Sequence, residues 1–184
     1  MLIIRRCGDP VLRQKAVRLD NVDGGVARLM DDLTETMTKV PGVGLAAPQV
    51  GAAVRLIVAQ YHERLLQIAN PVIAHREGQV EAMEGCLSLP TLQGTVVRPQ
   101  AIRVRGVDRN GEEQLWDVEG WLARVVCHEV DHLDGKLFPD RVADGRVFWV
   151  VEDESEEDGH RLEATTVEEA YAAFLRDYQE HRRS

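Results

Sequence analysis

The chain has 184 residues, enough for one domain with a well-buried core. A composition of 44% hydrophobic and 29% charged residues is that expected of a soluble globular protein, and no apolar run approaches the roughly 20 residues a membrane helix needs. The net charge is −9, of which residues 151–184 carry −7 (11 acidic, 4 basic), so no part offers the basic surface that nucleic-acid phosphates require.

Only Met1 to Ile4 precede Arg5 and Arg6, too short an apolar stretch for a signal peptide, and the expected location is cytoplasmic. Gly8-Asp9-Pro10 signals a turn. Val26, Leu29, Met30, Leu33, Met37 and Val40 recur at helical spacing, predicting an amphipathic packing helix over about Gly25 to Lys39 that stops before Pro41-Gly42. Gly42 to Gly51 follows, rich in small residues that let a backbone approach a ligand closely. It lacks the Lys-Ser/Thr ending of a phosphate loop, and Gln49 is its one side chain with both an amide donor and an acceptor.

Val54 to Ala59 reads as a strand, Asn70-Pro71 as a turn, and Val72-Ile73 as the start of another strand. His62 and His75 lie in polar surroundings without partners at ligand spacing and read as exposed structural residues. Cys86 follows a glycine and precedes Leu87-Ser88-Leu89-Pro90, a tight turn beside extended chain. Thr95-Val96-Val97, Ala101 to Val107 and Gln114 to Val118 read as strands, with Asp108-Arg109-Asn110-Gly111 as a hairpin turn.

Ala123 to Phe138 contains His128-Glu129-Val130-Asp131-His132. On a helix, His128 and His132 project one turn apart from the same face, so both imidazoles can bind one metal ion, and Glu129 beside them can exchange protons with a water. Trp121, Leu122, Val125 and Val126 extend the helix backwards as an apolar segment, and buried histidines and a glutamate are costly there unless a metal or partners satisfy them. A catalytic site of this type needs a third protein ligand. Cys86 is one candidate. Cys127 is the rival, though on a helix it points about 100° away from His128. A cysteine with two histidines suits Zn²⁺, Fe²⁺ or a similar divalent ion. The odd cysteine count (Cys7, Cys86, Cys127) and wide spacing argue against a disulfide framework.

Beyond Phe138, Val147 to Val151 reads as a short strand and Glu152 to Asp158 as a solvated acidic loop. Thr165-Thr166 before Glu168-Glu169 resembles a capping box, and Val167, Ala170, Tyr171, Phe174, Leu175 and Tyr178 give a C-terminal amphipathic helix docked on the body or on a partner. The expected fold is α+β, with antiparallel strands around a buried central helix carrying HExxH, an N-terminal amphipathic helix and a C-terminal helix. The expected domain spans 1–184, with a catalytic core of about 1–142 and an acidic extension of about 143–184.

Three stretches together resemble the peptide deformylase family, whose motifs are GxGLAAPQ, EGCLS and QHExDHLxG. Here they stand as GVGLAAPQ (Gly42 to Gln49), EGCLS (Glu84 to Ser88) and CHEVDHLDG (Cys127 to Gly135). The flanks GDPVLR, Asn70-Pro71 and Lys136-Leu137-Phe138 are similar too, so the likeness covers roughly residues 1–142. The resemblance implies that Cys86, His128 and His132 bind the metal and that Glu129 is the general acid/base. It implies an oxyanion hole of Gln49 and the Leu87 N–H, and Gly44 holding the substrate backbone. By analogy and helix geometry, Trp121, Arg124 and Val125 border the pocket for a methionine side chain.

The implied reaction is removal of the formyl group from the N-formyl-methionine end of new polypeptides, releasing formate. The metal it implies is Fe²⁺, with Zn²⁺, Ni²⁺ or Co²⁺ possible. Glu84 is expected to meet Arg98. Asp131 is expected either to act behind the ligands or to form a solvent-facing ion pair. Two departures stand out. Cys127 replaces the family's usual glutamine, and the tail is acidic apart from Arg182-Arg183, unlike the basic helix through which bacterial members are thought to reach the ribosome. The competing readings are a zinc peptidase, with His160 or His181 as third ligand, and a non-catalytic peptide-binding homologue.

Overall fold

The computed structural model describes residues 1–156 and 159–181; Glu157 and Asp158 of the acidic run, and Arg182-Arg183 at the tail, lie outside the described residues. The architecture is α+β, with three α-helices and two antiparallel sheets among the described residues. The helices are α1 (Gly24–Lys39), α2 (Gly120–Leu133) and α3 (Val167–His181). The first sheet has the order β1 (Gly44–Ala46), β2 (Leu56–Tyr61), β3 (Arg64–Glu77), β6 (Ala101–Val107) and β7 (Glu113–Glu119). The second has the order β4 (Val80–Cys86), β5 (Leu89–Arg98), β8 (Arg146–Glu152) and β9 (His160–Thr166). Among the described residues, no helix is long and apolar enough to cross a membrane.

The helical spacing of α1 is realised: Met30, Leu33 and Met37 are buried against Leu45, Leu56 and Val58 of the first sheet. Asp23 caps its N-terminus, its carboxylate accepting from the N–H groups of Gly25 and Val26, which would otherwise lack partners. The predicted hairpin turn forms between β6 and β7, with Asp108 Oδ1 accepting from the N–H groups of Asn110 and Glu112 and Gly111 at φ +83°.

Asn70-Pro71, expected as a turn between strands, lies inside the long strand β3. Asn70 takes φ +51° and the register with β6 shifts between Ala69 and Val72, so the dipeptide makes a bulge. Its side chain accepts from Leu19 N–H at 2.9 Å and donates to Leu19 O at 2.8 Å, anchoring the N-terminal segment instead of closing a turn. His75 is accordingly a strand residue, exposed on β3.

Eleven of the fourteen residues of α2 are buried. Its apolar flank, including Leu122, Val126 and Leu133, packs on Ile57, Ile68 and Val104 of the first sheet. The helix ends at Asp134, and Gly135 follows at φ +69°, with its would-be Cβ against the backbone of Arg13. The C-terminal residues dock on the body. Ala170 and Phe174 of α3 are buried in one cluster with Cys7, Leu12, Leu89 and Phe138. The capping box forms, Glu169 N–H donating to Thr166 Oγ1 at 3.2 Å and Thr166 N–H to Glu169 Oε2 at 3.1 Å.

Candidate metal centre and catalytic cleft

Three elements meet at one cleft of about 300 Å³: the end of β4, the edge of β1 and one face of α2. It is lined by Gly44, Gln49, Cys86, Leu87, Trp121, Arg124, Val125, His128 and Glu129, which are nine of the ten expected site residues. The tenth, His132, lies just beneath with 1% exposure. The i, i+4 spacing on α2 sets the two imidazoles 5.0 Å apart between ring centroids. Cys86 comes from 42 positions upstream: β4 ends on it and pairs back as Cys86↔Leu89, with Leu87 in the turn between.

The donor atoms of Cys86, His128 and His132 all lie within 4.8 Å of one another, with Cys86 Sγ 3.3 Å from His132 Nε2. A thiol and two imidazoles converging on one point are the three-ligand donor set of a Zn²⁺- or Fe²⁺-type site, and these residues fit such an ion. This is the one grouping of three or more such donors among the described residues, and neither His160 nor His181 belongs to it. Those two sit at the start of β9 and the end of α3, which removes the third ligand that the zinc-peptidase reading needs. Cys127 is buried among Val126, Val130 and the first sheet, and burial pushes its thiol up to about 11. It is not a rival ligand.

Glu129 is buried, and its Oε2 has no hydrogen-bond partner. Burial raises its carboxyl to about 7, where it can both take and return a proton at neutral pH. Burial also holds His132 well below the usual imidazole range, keeping its ring neutral with a lone pair to share. Gly44 faces this carboxylate so closely that a Cβ would overlap Glu129 Oε1 and Val125 Cγ1.

Gln49 stands across the cleft in the short 3₁₀ turn Ala47–Val50. Its Oε1 accepts from Ala46 N–H at 2.8 Å, which aims Nε2 at Ser88 Oγ (3.2 Å) and Cys86 Sγ (3.6 Å). Ser88 was not singled out by sequence, although it is the last letter of the EGCLS motif; it is fully buried and fixes the amide.

Behind the ligands lies a buried ionic network. Glu84 Oε2 meets His128 Nδ1 at 3.0 Å, which orients the ring. The expected Glu84–Arg98 pair is bidentate, at 3.0 Å and 3.0 Å. Burial opposes the charge of Glu84, yet His128 and Arg98 overcome it and hold the carboxyl at about 2. Asp131 is also buried and joins Arg98 and Arg141, so it lies in the buried network behind the candidate ligands and is not a solvent-facing partner. Arg124 donates from Nη1 to Glu84 Oε1 (2.6 Å) and Val96 O (2.9 Å) and from Nη2 to Val80 O (2.6 Å). Its guanidinium is thus committed to the scaffold, and Arg124 is among the residues that line the cleft.

Residues 1–147 match the family model described as polypeptide deformylase. The chain belongs to the polypeptide deformylase family. It is 47% identical over 139 residues to a peptide deformylase of Caldanaerobacter subterraneus subsp. tengcongensis, covering 76% of this chain and 87% of that relative. The crystal structure of peptide deformylase from Thermus thermophilus superposes with a TM-score of 0.75 at 49% identity, covering 78% of this chain and 87% of the other. A plant peptide deformylase structure reaches a TM-score of 0.80 at 33% identity, covering 98% of this chain and 92% of the other. Deformylase membership agrees with the cleft chemistry and gives no support to a non-catalytic homologue.

Proposed function

We propose that this deformylase hydrolyses the formamide of N-formyl-methionyl polypeptides as they are made, in the cytoplasm, with Cys86, His128 and His132 holding one divalent cation. The observation that carries the reading is the convergence of Cys86, His128, His132 and the partnerless, buried Glu129 on one cleft opposite Gln49. When bound, the cation supplies a water of lowered pKa and Lewis-acid polarisation of the carbonyl. Fe²⁺ is the native ion in this reading, and Zn²⁺, Ni²⁺ and Co²⁺ suit the same donors.

Glu129 accepts a proton from the attacking water and returns it to the departing amine as the bond to formate breaks, a double role open to a buried carboxylate. Gln49 Nε2 and the Leu87 N–H donate to the formyl oxygen as negative charge develops there. One such preorganised donor lowers the barrier by about 3 kcal/mol. Gly44 brings bare backbone to the cleft wall, where a substrate main chain can lie against it. Trp121, Arg124 and Val125 border the methionine side chain.

The partners are formylated nascent chains, without nucleic acid or membrane. The acidic tail gives no ground for carrying over ribosome docking. The test is anaerobic purification, metal analysis, and formate release from formyl-Met-Ala-Ser. Release dependent on one equivalent of a divalent metal is expected; no release with any of the four ions would leave a peptide-binding homologue in front. Cys86→Ala should abolish metal retention, whereas a peptidase using other ligands would keep its ion.

A further inference from the structure

The extension formed by β8, β9 and α3 lies mostly beyond the family-model match, which ends at residue 147, yet it is tied to the metal centre through one short turn. Tyr171 of α3 donates its hydroxyl to Asp140 Oδ1 at 2.7 Å. Arg13 grips the same carboxylate, and its guanidinium carbon lies 4.7 Å over the Tyr171 ring. Asp140 in turn accepts from Leu137 N–H at 2.9 Å, closing the 3₁₀ turn Phe138–Arg141.

Two contacts run inward from that turn. Phe138 lies nearly parallel to the His128 imidazole, at 21° and 6.4 Å between centroids. Arg141 holds Asp131 through Nε (3.0 Å) and Nη2 (2.5 Å). Asp131 holds Arg98 Nη1 at 2.5 Å, Arg98 forks onto Glu84, and Glu84 holds His128 Nδ1 at 3.0 Å. One turn therefore governs both the face of the ring and the nitrogen opposite its donor atom.

We propose that the C-terminal extension, bearing through Tyr171 on the turn that carries Arg141, positions His128, with Tyr171 of the extension and Arg141 of the turn as the positioning residues. The proposal rests on His128 being a metal ligand, as argued above. A ligand imidazole held on its ring face and on its far nitrogen keeps its lone pair on the ion, and loosening such outer partners costs about 10- to 100-fold in metal affinity. Arg141 sits outside the three motifs, and Tyr171 outside the matched region, so the device is built from parts of the chain that have no direct share in the chemistry.

The test uses full-length protein loaded with Co²⁺, following the half-life of metal loss to excess chelator and the visible band of the bound ion. Tyr171→Phe should shorten the half-life about 2-fold and Arg141→Gln about 3- to 10-fold, less than the roughly 10- to 100-fold of a direct partner because each acts through intervening residues, both with a shifted band. Arg141→Lys should restore part of the loss. Because both act through one turn, the double variant should lose less than the product of the single effects. Unchanged half-lives in both single variants would overturn the proposal, as would multiplicative losses. So would an unshifted band with a lowered melting temperature of the metal-free protein, since that marks general loosening. Failure of the parent to take up Co²⁺ would instead overturn the metal-site reading itself.

Discussion

Glu84→Gln isolates the electrostatic core of the site. Glu84, Arg98 and Arg124 have side chains only 4%, 5% and 5% exposed, so water does not screen them. The substitution keeps shape and one acceptor oxygen but removes the charge shared by two arginines. Arg98 retains Asp131, while Arg124 keeps only the carbonyls of Val80 and Val96 and is left a buried cation without a counter-charge. Breaking a buried pair from one side costs about 3–5 kcal/mol. The retained oxygen and the surviving Asp131 pair set the expectation at the lower end, about 3 kcal/mol, against a total stability on the order of 5–15 kcal/mol. The assay is urea unfolding of the metal-free protein, so that ion binding adds nothing to the difference. With a slope of about 2 kcal/mol/M, the midpoint should fall by about 1.5 M with the slope unchanged. A loss under about 1 kcal/mol would refute the reasoning, because it would mean that solvent already carries these charges.

Gly44→Ala places a Cβ on Glu129 Oε1 and Val125 Cγ1; displacing the proposed general base by about 1 Å should cut formate release about 100-fold while the metal content stays at one equivalent, and near-parental turnover would contradict the packing. Val125→Asp puts a charge on the cleft wall and should erase selectivity for formyl-Met over a short polar first residue, measured as the ratio of kcat/KM values; an unchanged ratio would remove Val125 from the side-chain pocket. For Asp140, burial raises its carboxyl, but hydrogen bonds from Arg13, Tyr171 and the Leu137 N–H overcome that and hold it below the ordinary 3.8. A depressed carboxylate stabilises fully above pH of about 4 and loses that contribution as pH falls through its native value. The gap in urea midpoint between parent and Asp140→Asn should therefore narrow below pH 4, and a gap constant down to pH 2 would sink the assignment.

Much of the candidate site was legible because its spacing is local. His128 and His132 are one turn apart whatever surrounds them, and Glu129 follows from the same helix. Gln49 and Leu87 were reached through their motifs, since nothing in the local pattern aims an amide at a thiol. The Asn70 bulge was misread because turn-forming chemistry is the same in a loop and in a strand; its side chain is used by Leu19, 51 positions earlier. Arg124 looked like part of the pocket from its helical face, and it lines the cleft as expected. That its guanidinium turns to Glu84 depends on a carboxylate 40 positions away.

Periodicity and short motifs thus determined the helices, most strands of the core, and the placement of the candidate ligand pair and the candidate acid/base, because each is settled by residues within one or two turns of one another. Tertiary structure decided the rest. It brought Cys86 rather than Cys127 to the imidazoles, buried Asp131 between two arginines, and seated α3 on the body. It also ran a path from Tyr171 to His128. Those outcomes depend on which distant surfaces must be covered to bury apolar area and to pair every buried charge, a balance that no local stretch of chain can express.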